Sequence, residues 1–98
     1  MTPKKLTEER GTTHGSFEDN AIISQELKKV MKSVHNDYTP VQQEAIDMIC
    51  LKLSRIASGH AGHIDHWRDV SSYAYLVVEQ LEKTPGSTDS KVEYIRID

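Results

Sequence analysis

Residues 39–57, TPVQQEAIDMICLKLSRIA, carry a complete helix start and one side chain out of keeping with the helix it opens. Thr39 can cap the open N–H groups of a first turn. Pro40 already has the backbone angle of a first helical residue, and Gln42 stands where a capping box needs it. From Ala45 onward the apolar residues recur at helical spacing. At about 100° per residue, Ala45, Met48, Ile49, Lys52 and Ile56 point the same way. Lys52 therefore lies inside the apolar stripe. An ammonium there is costly unless it loses its proton or meets an anion. That anion is either a carboxylate of this chain or a phosphate brought by a ligand.

Two further helices are legible on either side. SFEDNAIISQELKKVMKSV (16–34) has Ser16 as its cap, Glu18 and Asp19 in the first turn and Lys28, Lys29 and Lys32 near its end, as the helix dipole favours. Phe17, Ala21, Ser24, Leu27, Met31 and Val34 form its stripe. HNDY (35–38) is a turn, and SGHAGH (58–63) stops the central helix near Ala57. A third helix runs from about Asp65 to Lys83, with Trp67, Val70, Ala74, Val77, Val78 and Leu81 on its inner side. The expected fold is all-α: a hairpin-based bundle of three main helices at 16–83, completed by oligomerisation. Residues 1–15 read as a polar, mobile arm. Residues 84–98 form a tail whose strand-like KVEYIRID has no partner strand in the chain.

Ninety-eight residues with a hydrophobic fraction of 37% build one modest core, which favours a homo-oligomer, the stripe Phe17, Leu27 and Met31 being the expected contact. A formal charge of −3 gives no general field for duplex nucleic acid or a membrane surface. The single cysteine, Cys50, rules out an internal disulfide, and no apolar run is long enough to span a bilayer. A soluble protein of the cytoplasm is the expectation.

The chemistry-bearing groups gather on the second helical hairpin. Glu44 and Asp47 form an E-x-x-D pair. DHWRD (65–69) places Asp65 at a helix entrance and Asp69 one turn in, with Tyr73 a turn further on the same side, its ring suited to the core or to the border of a base-stacking, ligand-binding pocket. Antiparallel packing across the short loop brings Lys52 and Arg55 toward Asp65 and Asp69. The same groups make equal sense as a salt-bridge network that fixes the hairpin. His60, His63 and His66 straddle a glycine loop and lack helical ligand spacing, so a solvated loop is favoured over a zinc site. His14, just before the first helix, suits a phosphate contact or a plain turn. Cys50 reads as a small buried hydrophobe.

ERGTTHGSFEDNA, PVQQEAIDMICLKLSRIASG and DHWRDVSSYAYLV together resemble a family of small proteins of tailed phages and prophages whose function is unknown. The likeness covers residues 9 to about 82. That family is similar in layout to MazG-type all-α nucleotide pyrophosphohydrolases. The resemblance implies magnesium held by acidic pairs, here Glu44, Asp47, Asp65 and Asp69, with Glu44 and Asp69 catalytic. It also implies phosphate contacts from Lys52 and Arg55. His66 stands where those enzymes have a glutamate, and an imidazole is a poor magnesium ligand. Three functions are expected from it: a magnesium-dependent pyrophosphohydrolase, a non-catalytic module that sequesters a nucleotide in the host cytoplasm, and an interaction protein that binds a host protein.

Overall fold

The computed structural model describes residues 2–34 and 36–83. They form four helices, α1 (Pro3–His14), α2 (Phe17–Met31), α3 (Pro40–Ser58) and α4 (Ile64–Glu82), with no strand among the described residues. The all-α expectation is met. The tail 84–98 lies outside the described residues.

The caps act as their residues dictate. Thr39 Oγ1 accepts from the Gln42 N–H at 3.2 Å, and the Gln42 side chain accepts from the Thr39 N–H at 2.9 Å, so the capping box of α3 is closed. A cap of this kind stabilises a helix start by about 1 kcal/mol. Ser16 does the same for α2, accepting from the Asp19 N–H at 3.1 Å. α2 ends at Met31, three residues short of Val34. The Tyr38 hydroxyl donates to the Met31 carbonyl at 3.2 Å and ties the turn after α2 back to that end.

The first correction concerns residues 1–15, which are not an arm: Pro3–His14 is helical. Its start repeats the device of α3. Thr2 accepts from the Lys5 N–H at 3.2 Å and Pro3 takes the first helical position. Leu6 is the only large apolar side chain in α1, and it is 37% exposed. Such a helix is held in place mainly by its C-terminal end, where the chain turns into α2.

α3 packs closely against each of the other helices, whereas the backbones of α2 and α4 do not approach one another. The three long helices form an open row with α3 in the middle and α1 across α3 and α2. In a closed bundle each stripe faces two others; in a row the outer helices each have only α3. Consequently Ala45 and Cys50, both on α3, are the only buried apolar residues among those described, and the rest of the buried set is polar: Asn20, Ser24, Ser54 and His66. Several expected stripe residues face solvent. Phe17 is 82% exposed and Trp67 52%, and Val34, Met31 and Ala74 are also exposed. On α4 the inward direction is set by His66 at 2% exposure, so the helix is rotated away from Trp67 and Ala74. No described helix is long and apolar enough to cross a membrane.

Candidate functional site

THGS (13–16) turns the chain from α1 into α2, and its backbone does most of the joining. Gly15 has φ +76°, a region that costs an L side chain free energy, and a Cβ there would also run into Ser58. The Thr13 carbonyl accepts two hydrogen bonds, from the His60 N–H at 2.9 Å and from His66 Nε2 at 3.0 Å. A carbonyl only accepts, so Nε2 of His66 carries the proton. Gly59 lets the loop approach this closely, because a Cβ on it would strike the Thr13 carbonyl oxygen. The His66 ring also packs against two other imidazoles, 5.1 Å from His14 and 4.7 Å from His63 between centroids. The solvated-loop reading is thus corrected for His66: it is a core residue that anchors α1 to α4. Beside it, the Trp67 indole N–H donates to the Ala61 carbonyl at 2.7 Å.

Lys52 meets a carboxylate of its own chain. Its Nζ lies 2.9 Å from Asp69 Oδ2, which supplies the anion that its place in the stripe demands. The hydrogen bond from Lys52, helped by that charge and those of His66 and Arg55, holds the Asp69 carboxyl below its usual range. Asp65 is elsewhere, 3.6 Å from Arg68 Nη1 and 3.9 Å from His63 Nε2. Asp47 accepts from the Gln43 side chain at 3.1 Å, and Glu44 is exposed. Among the described residues no three His, Cys, Asp or Glu side chains come close enough to share a metal ion, so Glu44, Asp47, Asp65 and Asp69 are not gathered into one cluster there. Tyr73 is half-buried on α4, one turn beyond Asp69. Cys50 is 4% exposed, and burial, with Asp47 nearby, pushes its thiol up in pKa, as suits an inert core residue.

What the structure does bring together is a cleft of about 500 Å³ between α1, the start of α2 and the end of α3. Arg10, His14, Phe17, Asn20 and Arg55 line it, with Glu8 on one wall. Asn20 is buried, and its Oδ1 accepts the Ser58 hydroxyl at 2.6 Å, which leaves the amide NH₂ to donate elsewhere. Neither Arg10 nor Arg55 has an ion-pair partner among the described residues. Burial lowers the pKa of His14, and the charges of Arg55, His66, Lys52 and Arg10 lower it further. Arg10, Arg55 and Lys52 thus place positive charge around His14 in a chain whose net charge is negative.

Of the residues expected as ligand contacts, Arg55 and His14 line this cleft, whereas Lys52 pairs with Asp69 and Tyr73 does not line the cleft. Sequence reasoning misses Arg10 and Phe17, the first because α1 carries no apolar stripe and the second because helical periodicity turns it inward. The Thr-Pro at residues 2 and 3 is the signal for α1. Comparisons with protein-family models, with curated proteins and with solved structures find no match to this chain.

Proposed function

We propose that this protein binds a nucleotide, or a closely similar phosphate-bearing ligand, in the cleft between α1 and α2, and does not turn it over. The observation that carries the reading is a pair of arginines, Arg10 and Arg55, without an ion-pair partner among the described residues and bordering one cleft with His14. Guanidinium groups bind phosphate oxygens through paired N–H donors, and an added anion would relieve their mutual repulsion. The cleft volume of about 500 Å³ falls within the range of small-molecule sites. Phe17, 82% exposed beside these cations, offers a flat apolar plane on which a base can stack. Glu8 and the Asn20 amide supply an acceptor and a donor for the ligand's polar edges. The likeness to phage-encoded helical proteins supports a role in an infected host cell, where binding alone would deplete a nucleotide.

The magnesium pyrophosphohydrolase is the second reading, supported by the family likeness alone. The carboxylate it needs most, Asp69, is engaged by Lys52, and the remaining acidic groups are dispersed.

A thermal-shift and calorimetric titration with ribo- and deoxyribonucleoside triphosphates, run with and without magnesium, tests the proposal. A ligand at 100 times its Kd adds roughly 2.7 kcal/mol of stability. The expected result is a shift that does not need magnesium and is roughly halved in Arg55→Ala and in Arg10→Ala, each weakening binding about tenfold. A shift that requires magnesium and releases pyrophosphate supports the enzyme instead. No shift with any nucleotide rejects both.

A further inference from the structure

α4 has two apolar sides, and α3 covers one. At about 100° per residue, Ile64, Trp67, Ser71, Ala74, Tyr75 and Val78 fall within an arc of roughly 100° on the opposite side from His66. That arc is uncharged over roughly 20 Å of helix. It is also open: Ile64 is 56% exposed, Trp67 52% and Tyr75 58%, and Ser71 and Ala74 are exposed. A helix apolar on both sides is ordinarily covered on both. α2 also exposes Phe17, Ile22 and Val30, but on different sides of the helix, with charged residues between them, so it offers no continuous stripe.

We propose that this stripe is covered by the same stripe of a second copy, with the two α4 helices antiparallel about a two-fold axis near residue 73. One register satisfies three independent pairings. Trp67 of each copy falls opposite Val78 of the other, and Tyr75 falls opposite Ser71, so large side chains meet smaller ones. Arg68, on one flank of the stripe, falls opposite Glu79, on the same flank. An antiparallel two-fold brings like flanks together, so Arg68 meets Glu79; parallel pairing would set Arg68 far from any Glu79. Among the described residues the one carboxylate Arg68 reaches is Asp65, at a loose 3.6 Å, and its side chain is largely exposed, so it is available for this exchange. Trp67 is suited to anchor the contact because its one polar atom already donates to the Ala61 carbonyl, which leaves the apolar ring faces outward.

The apolar surface also continues past Ala74 into a groove of about 390 Å³ that Ala74 and Val77 share with Ile46, Ile49 and Tyr38. The second copy would cover part of its rim. The protomer has reason to associate: with only Ala45 and Cys50 buried among its described apolar residues, its core is unusually incomplete.

Sedimentation of the full chain from about 1 µM to about 100 µM reads the assembly by mass action. Trp67, the single tryptophan, reports from the contact itself. The expected result is a dimer with blue-shifted emission at high concentration, reverting on dilution. Tyr75→Lys, at a site already exposed, should leave helicity intact and give a monomer. Arg68→Glu should weaken the dimer roughly tenfold, since symmetry counts the like-charge contact twice, and Arg68→Glu with Glu79→Arg should restore it. A monomer at the top of the range overturns the proposal, whether its tryptophan is exposed or covered by its own chain. So does a dimer that survives Tyr75→Lys. A dimer that Tyr75→Lys breaks but the double charge swap does not restore overturns the antiparallel register.

Discussion

The two ends of the 2.9 Å bond between Lys52 and Asp69 stand in different solvents: the lysine side chain is 13% exposed and the aspartate 44%. The partners are therefore unequal. Removing the aspartate strands an ammonium in an apolar stripe, whereas removing the lysine leaves a carboxylate that water can reach. Asp69→Ala should lower the urea midpoint more than Lys52→Met, whose apolar side chain suits the stripe. Equal effects, or the reverse order, would contradict this account of the pair.

Acid should act in two stages. His14 has a pKa below its ordinary 6.5, so folding favours its neutral form. The unfolded chain then binds more protons, and stability falls as pH drops below about 6.5, until the folded-state value is passed. Asp69 is lowered from 3.8, and its contribution is fully present above that value and is lost as pH falls through the lower folded one. Thermal midpoints measured against pH should therefore show an upper step that disappears in His14→Gln and a lower one that disappears in Asp69→Asn. Phosphate bound beside His14 should raise its pKa, which proton NMR of the imidazole can follow.

The glycines separate by environment. Gly15→Ala places a side chain at φ +76° and should cost about 1–3 kcal/mol before its clash with Ser58 is counted. Gly59→Ala should also be harmful, because the three atoms its Cβ would meet, in Thr13, His14 and Arg55, are all backbone. Gly11 lies within α1 with nothing near its absent Cβ, so Gly11→Ala should stabilise by about 0.5–1 kcal/mol. Denaturant melts of the three variants give the order directly.

The anchor of α1 can be probed at His66. His66→Phe keeps a ring of similar size but removes the donor to Thr13, whose carbonyl retains the His60 N–H. A loss of about 1 kcal/mol is expected. His66→Ala removes the ring as well and should cost about 2–5 kcal/mol as a cavity. In both variants limited proteolysis should open α1 first, with cuts appearing near Arg10 before any in α3. Cleavage that begins in α3 or α4 would show that His66 supports the hairpin and not α1.

The three long helices are legible in the sequence because their signals are local: a cap, a first-turn proline and a repeating stripe fix α3 without reference to anything distant. The pairing of Lys52 with Asp69 is legible for a related reason, since a short loop leaves an antiparallel hairpin little freedom. Periodicity says which residues share a side, but not which side another helix will cover. Hence it turns Trp67 and Ala74, which do share a stripe, inward, and leaves His66, a polar residue in a glycine loop's shadow, outward. The open row is beyond reach for the same reason, because each stripe is compatible with one neighbour or two. α1 escapes because it offers no stripe at all. The cleft that depends on it is therefore only half legible, Arg55 and His14 without Arg10.

The joint between α1 and the rest of the molecule is made by a main-chain oxygen, and no substitution can delete the Thr13 carbonyl. The Thr13 side chain turns back onto its own helix, to the Arg10 carbonyl at 3.4 Å. Position 13 itself should therefore accept many residues, whereas the positions that shape access to its oxygen, 59 and 66, should accept few. Scanning mutagenesis would find the joint as a ring of intolerant neighbours around an indifferent centre. An alanine scan would score Thr13 as dispensable, although its backbone oxygen is where α1, the α3–α4 loop and α4 meet.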